Sequence, residues 1–408
     1  MGGEGAPPPR VSFIMARLCV VGGKLQGMEA VYLAKKAGLE TILIDRRRNP
    51  PASALADETH MVNVVKDYST AKVIFRYSDV VLPALEDAEA LSAVERACRK
   101  LGVPYMQDNA AFAVTSDKSA FMRFCDRNGM PYPKISPQAS FPVIVKPVSG
   151  SGSRGVRLAR NSAELERVQR DVKEEGGGFL VQEYASGYFL SLELLGLEGI
   201  PQPMQVTCLE FDESYGCKRV LAPWPYEDEI IRDTVTLGER LVRGLSLTGL
   251  TDLQVVVRGK RVEIIEANAR LPSQTPTAVY YSTGVNMVKL LVELFAKKRL
   301  PDYRPKGEKV VIYQHVHIMY GKLKVVAEHE LSDASGMRIE KGFYGVDEAV
   351  TNLSSKGGVA TLIVSDVSYR RAKERMEEAV KSIASDYKVP IEDKSPWGVS
   401  NFYDEINI

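Results

Sequence analysis

The run Leu18-Cys-Val-Val-Gly22 has no polar alternation, so it makes a strand only if both of its faces are covered. A chain that opens this way is committed to a parallel sheet, because crossover helices are what cover both faces of a sheet. The next residues keep to that plan. Gly22-Gly-Lys-Leu-Gln-Gly27 turns the chain into a helix expected from Met28 to Ala37, Gly38 stops it, and Thr41-Ile-Leu-Ile-Asp45 returns as a second strand. Strands over 61–64, 79–82 and 103–106, with a helix over 88–100, complete an α/β unit spanning 16–112.

The character changes after a helix that opens at Lys118 and ends near Asn128-Gly129. Pro131, Pro133, Pro137 and Pro142 stiffen the connection that follows. Short strands over 143–146, 155–158 and 179–183 around one helix, 163–175, mark a small α+β unit within 113–186. A larger α+β unit, 187–388, carries strands over 189–196, 204–210, 251–257, 261–267, 309–319 and 359–364, and an amphipathic helix over 369–386. Residues 1–15 and 389–408 read as extensions, with Met15 the expected start of the folded part. The first residues lack the apolar core of a secretory signal.

Composition narrows the function classes. Fifty-three Lys and Arg against 52 Asp and Glu leave a net charge of +1, which argues against a nucleic-acid partner. No apolar run of about 18 residues exists to span a membrane. The 5 cysteines include no C-x-x-C pair, so neither a disulfide framework nor a zinc site is expected, and a cytoplasmic location follows.

Four stretches carry chemistry. In the first loop a dinucleotide fingerprint needs glycine at the position of Lys24; that substitution argues against a nicotinamide dehydrogenase, although Asp45 imitates the ribose acid. A charged small ligand held by backbone amides suits the loop better. In the second, Lys146 closes an apolar strand before Ser149-Gly-Ser-Gly-Ser-Arg-Gly155, whose successive amides form a nest for phosphate oxygens; Lys118 is a candidate second phosphate contact. In the third, Glu183 and Tyr184 end a strand as a hinge able to offer backbone groups to an adenine edge.

The fourth stretch is an acidic hairpin, Thr251–Val257 with Val262–Asn268. Glu266 and Asn268 share a face, and Asp252 stands opposite Glu266 if the turn is centred on Gly259. A two-residue Gly259-Lys260 turn instead sends one set to the other face. In the first register Asp252, Glu266 and Asn268 make an oxygen cluster without His or Cys, which suits Mg2+ rather than zinc. Arg270 and a polar loop containing Ser273, Gln274 and Thr275 follow, with Arg270 shaped to clamp a phosphoryl group or a carboxylate. The 4 histidines read as structural.

Together these pieces resemble the ATP-grasp superfamily. Val21–Gly27 with its following helix and the run Glu266-Ala-Asn-Ala-Arg-Leu-Pro-Ser-Gln-Thr-Pro-Thr-Ala-Val-Tyr-Tyr-Ser282 resemble its pyrrolysine-biosynthesis ligases. The resemblance implies a Rossmann-like N-terminal domain, a small lid at 113–186 and a catalytic domain at 187–388. It also implies ATP and Mg2+ as cofactors and two substrates, 3-methyl-D-ornithine and L-lysine, joined through an acyl phosphate. Lys118, Lys146 and the loop with Ser149, Gly150, Ser151, Gly152, Ser153 and Gly155 would then hold ATP, and Glu183 and Tyr184 its adenine. Asp252, Glu266 and Asn268 would hold the metal. Lys24, Leu25, Gln26, Glu86, Ser191, Glu193, Asp252, Arg270, Ser273, Gln274 and Thr275 would meet the substrates, with Arg270, Asp252 and Lys146 catalytic and Glu86 or Asp252 the base for the lysine amine. Two positions depart from relatives: Phe189 replaces a ribose-binding glutamate, and Leu250 replaces an arginine of some D-alanine ligases. A D-alanine:D-alanine-type ligase is the alternative. Both a monomer and a homodimer fit the sequence.

Overall fold

The computed structural model describes residues 16–136, 139–148, 155–174, 178–225 and 228–392. The first unit is a four-stranded sheet of β1 (Arg17–Val21), β2 (Glu40–Asp45), β3 (Glu58–Met61) and β4 (Val80–Pro83), ordered β3-β2-β1-β4 and parallel throughout. Helices α1 (Leu25–Lys36) and α2 (Tyr68–Arg76) cross between strands, and α3 (Ala88–Leu101) follows β4. Two expected strands differ. β3 lies earlier than 61–64 because it is an exposed edge of polar residues, while Val62 and Val64 turn into the core behind it. Over 103–106 the chain makes a single bridge, Tyr105 to Val81, rather than a strand.

Helix α1 begins at Leu25, three residues before the expected Met28. Gly27 therefore lies inside a helix, where a Cβ would stand 2.0 Å from the Gly22 carbonyl oxygen. Gly22 itself has φ +102°, closed to most side chains, and its own Cβ would meet Ala84 O at 2.6 Å. The two glycines let the helix start press against the strand end, and Lys24 sits between them at the rim.

Helices α4 (Asn109–Ser116) and α5 (Lys118–Arg127) follow, each capped by an aspartate, Asp108 and Asp117. Next comes a three-stranded antiparallel sheet, β6-β5-β7, of β5 (Val143–Pro147), β6 (Arg157–Ala159) and β7 (Phe179–Glu183), carrying helix α6 (Ser162–Glu174).

The remaining chain builds a large sheet. Its strands are β8 (Tyr188–Leu197), β9 (Ile200–Phe211), β10 (Cys217–Ala222), β11 (Gly249–Arg258), β12 (Arg261–Asn268), β13 (Val310–Met319), β14 (Lys322–Val325), β15 (Arg338–Lys341), β16 (Glu348–Thr351), β17 (Gly358–Asp366) and β18 (Ile391–Glu392). The main path runs β12-β11-β8-β9-β10-β13-β17-β16-β15, with β14 and β18 attached beside β13. Four helices accompany it: α7 (Asp228–Leu245), α8 (Thr275–Thr283), α9 (Met287–Lys297) and α10 (Tyr369–Asp386). The polar loop expected after Arg270 becomes α8 at Thr275, with Pro276 suited to the first helical turn.

One continuous core joins the two large units. It runs from Leu18, Val20 and Leu43 of the parallel sheet through α1, α8 and α9 to Val220, Val311 and Ile363 of the large sheet. A polar clamp reinforces it: the Tyr32 hydroxyl donates to Glu348 at 2.6 Å, and Lys36 Nζ donates to the other Glu348 oxygen at 2.6 Å. This docking sets the Gly22–Gln26 loop over the strand ends of the large sheet. Among the described residues no helix is long and apolar enough to cross a membrane.

Candidate active site

Three neighbouring antiparallel strands supply the floor of the site. Directly opposed residues in such strands share a face. Ser191, Gln254 and Glu266 form one row across β8, β11 and β12, and Glu193, Asp252 and Asn268 form the next. The intervening row, Leu192, Leu253 and Ala267, faces the core shared with α5 and α7.

This arrangement corrects the expected register. The turn is the two-residue Gly259-Lys260 form, with Arg258 opposite Arg261, so parity alone would turn Glu266 and Asn268 away from Asp252. A β-bulge between the pairs Val255–Ile264 and Gln254–Glu266 takes up Ile265 as an extra residue and restores the shared face. Asp252 consequently stands opposite Asn268 rather than Glu266. The end of the strand is held by α4, whose Thr115 hydroxyl accepts the Ala269 N–H at 3.1 Å.

The carboxylates of this floor are unequally satisfied. Asp252 Oδ2 accepts from the Gln254 and Asn268 amides, both at 3.1 Å, and Oδ1 faces Arg270 Nη1 at 3.6 Å without a hydrogen bond. Glu193 Oε1 accepts from Ser191 Oγ at 2.8 Å, and its Oε2 is buried without any partner. Burial, helped by the neighbouring Asp252, pushes the Glu193 carboxyl up to about 7, with the Thr275 and Ser191 hydroxyls pulling the other way. Burial also raises Asp252, against the pull of Arg270.

Arg270 Nε donates to Glu86 Oε1 at 3.0 Å, and the same oxygen accepts from Gln26 at 2.7 Å. The guanidinium thus ties the first unit to the large sheet. Ser273 Oγ donates to Glu328 at 2.6 Å. Gln274, in a positive-φ conformation (φ +79°), donates to His315 Nε2 at 3.0 Å and to the Cys217 carbonyl at 3.3 Å. Burial pushes His315 down to about 3, so the ring is neutral and its Nδ1–H points to Thr361 Oγ1 at 2.9 Å. His315 is structural, as its sequence context suggests, yet what it supports is a site residue. Lys24 lies 3.8 Å from Asp333.

Three cavities meet here. One of about 180 Å³ holds Lys118, Lys146, Gln182, Glu266 and Asn268 in its wall. A second, about 70 Å³, is lined by Ser191, Asp252, Gln254, Glu266, Arg270 and Thr275. The third, about 700 Å³, opens under the Gly22–Gln26 loop and is lined also by Arg46, Arg47, Glu86, Arg270 and Glu328. Glu266 borders the first two, Glu86 the first and third, and Arg270 the second and third.

Lys146 Nζ donates to Gln182 at 3.0 Å; burial and the nearby Lys118 push its ammonium down to about 8, against the pull of Glu266. Gly155 is described, with φ +75°, while Ser149, Gly150, Ser151, Gly152 and Ser153 lie outside the described residues. At the hinge, the Glu183 N–H is bonded to Lys134 O at 2.8 Å and the Tyr184 N–H to Pro142 O at 2.9 Å. Both expected donors are therefore already committed, one to the 131–136 stretch alongside β7 and the other to Pro142 just before β5. The Glu183 carboxylate is held by Arg258 Nη1 at 2.9 Å, and Arg258 also bonds the buried Glu263.

Residues 115–274, which contain this floor and the two lysines, match the ATP-grasp domain family. The chain is 33% identical to the 3-methyl-D-ornithine–L-lysine ligase of Methanosarcina barkeri over 325 residues, 79% of this chain and 85% of that protein. The chain belongs to this ligase family. Its fold is the ATP-grasp fold, shared with biotin carboxylase from Campylobacter jejuni (TM-score 0.70, 15% identity, 90% of this chain and 91% of that one). It is shared equally with an L-amino acid ligase from Bacillus licheniformis (TM-score 0.67, 16% identity, 93% and 99%).

Sequence reasoning missed several residues of this ligase site. Gln254 has the parity of Asp252 and was legible. Glu328 and His315 come from distant strands and turns, and no local pattern marks them. Glu29 on α1 accepts the Thr277 N–H at 2.7 Å at the start of α8, and burial pushes its carboxyl up to about 7. Its partner lies far along the chain, so only the docking of α1 on α8 reveals it.

Proposed function

We propose that the chain is an ATP-dependent carboxylate–amine ligase joining 3-methyl-D-ornithine to the side-chain amine of L-lysine. One observation carries the reading: three cavities share walls at charged residues, among them Glu86, Glu266 and Arg270. A nucleotide phosphate, an activated carboxyl and an incoming amine can therefore converge on one point.

In this reading the small cavity with Lys118 and Lys146 takes the ATP phosphates, whose charge two lysines at close quarters favour. The wall of that cavity also contains hard oxygen donors, the Glu266 carboxylate and the Asn268 amide oxygen. An ion held by these two side chains would take its remaining ligands from phosphates and water. Bound there, Mg2+ would neutralise charge on the phosphates. Asp252, whose Oδ2 is held by two amides while Oδ1 only faces Arg270, fits the substrate rather than the ion. The orphan Glu193 Oε2 and Asp252 Oδ1 suit the ammonium groups of a diamino acid, whose N–H donors would complete them. Arg270 holds the carboxyl that becomes the acyl phosphate, since its planar fork fits a carboxylate and a phosphate equally. L-Lysine enters the cavity of about 700 Å³, where Lys24, Arg46 and Arg47 offer positive charge to its carboxylate.

Proximity does most of the work here: fixing carboxylate, phosphate and amine in one place removes the entropic cost of collision. The reading is tested by incubating the protein with Mg-ATP, L-lysine and 3-methyl-D-ornithine and weighing the product. The amide plus ADP is the expected outcome, abolished by Lys146→Ala and by Glu266→Ala. A D-alanine dipeptide instead, or ADP release surviving both substitutions, overturns it.

A further inference from the structure

Resting on that ligase reading, we propose that Glu328 is the general base that takes a proton from the attacking ammonium. The step needs a carboxylate that touches both the amine cavity and the carboxyl cavity and is not neutralised by a cation. Glu328, in the single helical turn Glu328–Leu331, borders the cavities of about 700 and 70 Å³ alike.

The other acids of the site do not meet both conditions. Glu86 is bonded to the Arg270 guanidinium and the Gln26 amide. Asp252 is held between two amides and faces Arg270 at 3.6 Å. Glu193 does not border the large cavity. Glu328 accepts from the Ser273 hydroxyl at 2.6 Å, and among the described residues it forms no ion pair within 4.0 Å. Ser273 fixes the carboxyl in place without supplying a charge. Its charged and titratable surroundings are Arg270 and Glu86 across the cavity, Glu29 of α1, Tyr313 of β13, Cys217 of β10 and the adjacent His329. Burial raises the Glu328 carboxyl despite Ser273 and Arg270, moving it toward the range of a useful base.

The balance is complete without a further reagent. The ε-ammonium gives one proton to the Glu328 carboxylate, and the freed nitrogen pair attacks the acyl carbon. The C–O bond to the phosphoryl group breaks, its electron pair leaving with phosphate. The second nitrogen proton goes to that phosphate, so the products are the amide, hydrogen phosphate and protonated Glu328.

The test uses two nucleophiles. Lysine arrives as an ammonium and needs a base; hydroxylamine is largely neutral at pH 7 and does not. With the full chain, Mg-ATP and 3-methyl-D-ornithine, Glu328→Gln is expected to lower the ratio of lysine amide to hydroxamate about 100-fold, the low end of general-base effects. The residual amide rate should keep rising with pH above the point where the parent levels off. A ratio unchanged from the parent, whether both products fall together or neither falls, overturns the role of Glu328. If the parent chain itself makes neither hydroxamate nor ADP from 3-methyl-D-ornithine, the ligase reading fails, independently of Glu328.

Discussion

Glu193 offers a sharp test, because its effects on stability and on binding have opposite signs. Its carboxyl titrates at about 7 in the folded chain against 4.5 in water, chiefly through burial. A raised carboxyl pKa means the folded state prefers the protonated form. That contribution is fully present below pH 4.5 and is lost as the pH rises through 7. The gap of about 2.5 pH units, at 1.36 kcal/mol each, corresponds to ~3 kcal/mol of penalty for the ionised residue above pH 8. Glu193→Gln keeps the acceptor for Ser191, removes the charge and places amide N–H groups across from Asp252. Thermal unfolding measured from pH 5 to pH 9 should show little gain at the acid end and a gain of about 6 °C at the alkaline end, at roughly 2 °C per kcal/mol for a chain of this size. The same substitution should erase the thermal shift caused by 3-methyl-D-ornithine. The parent's affinity for that ligand should weaken about tenfold between pH 8 and pH 6, as the ionised fraction of a group titrating near 7 falls. A variant equally destabilised at every pH would refute the reasoning, since it would show that Glu193 is not strained by its charge.

Three further outcomes are expected. Gly27→Ala puts a methyl group 2.0 Å from Gly22 O, so the Gly22–Gln26 loop must move; steady-state kinetics should show a raised KM for lysine with the KM for ATP little changed. Arg258→Ala frees the Glu183 carboxylate beside the hinge and leaves Glu263 buried without that partner, and should raise the KM for ATP rather than that for either amino acid. Tyr32→Phe removes a hydrogen bond to the buried Glu348 carboxylate and should cost about 2 kcal/mol in thermal or denaturant unfolding, while the amide-to-hydroxamate ratio stays at the parent value.

Much of the architecture was legible because it rests on local patterns. The apolar runs of β1 and β2, the glycines around α1 and the amphipathic period of α10 each report their own surroundings; α10 occupies Tyr369–Asp386 just as its pattern indicates. Edge strand β3 departs from its expected place because an exposed edge has no apolar signature. Helix α8 is not legible as a helix because Pro276 and the hydroxyl residues around it suit a turn equally well, and only packing against α1 and β13 decides. For the site, residue types and spacing single out the lysines, the acidic hairpin and Arg270, which the fold brings around adjoining cavities. Which acid faces which was not legible, since register depends on a bulge that no residue type announces. Glu328, His315 and Glu29 enter through long-range packing alone.

That bulge has a consequence for how this catalyst can change. Because Ile265 is one residue in excess, the orientation of Glu266 and Asn268 is a property of chain length as well as of side-chain identity. Substitutions around the hairpin can be absorbed gradually, whereas a single inserted or lost residue in the turn reverses the acids at a stroke unless a second one compensates. Length variation in this family should therefore accumulate elsewhere, leaving the count from Asp252 to Asn268 as invariant as any chemical group it carries.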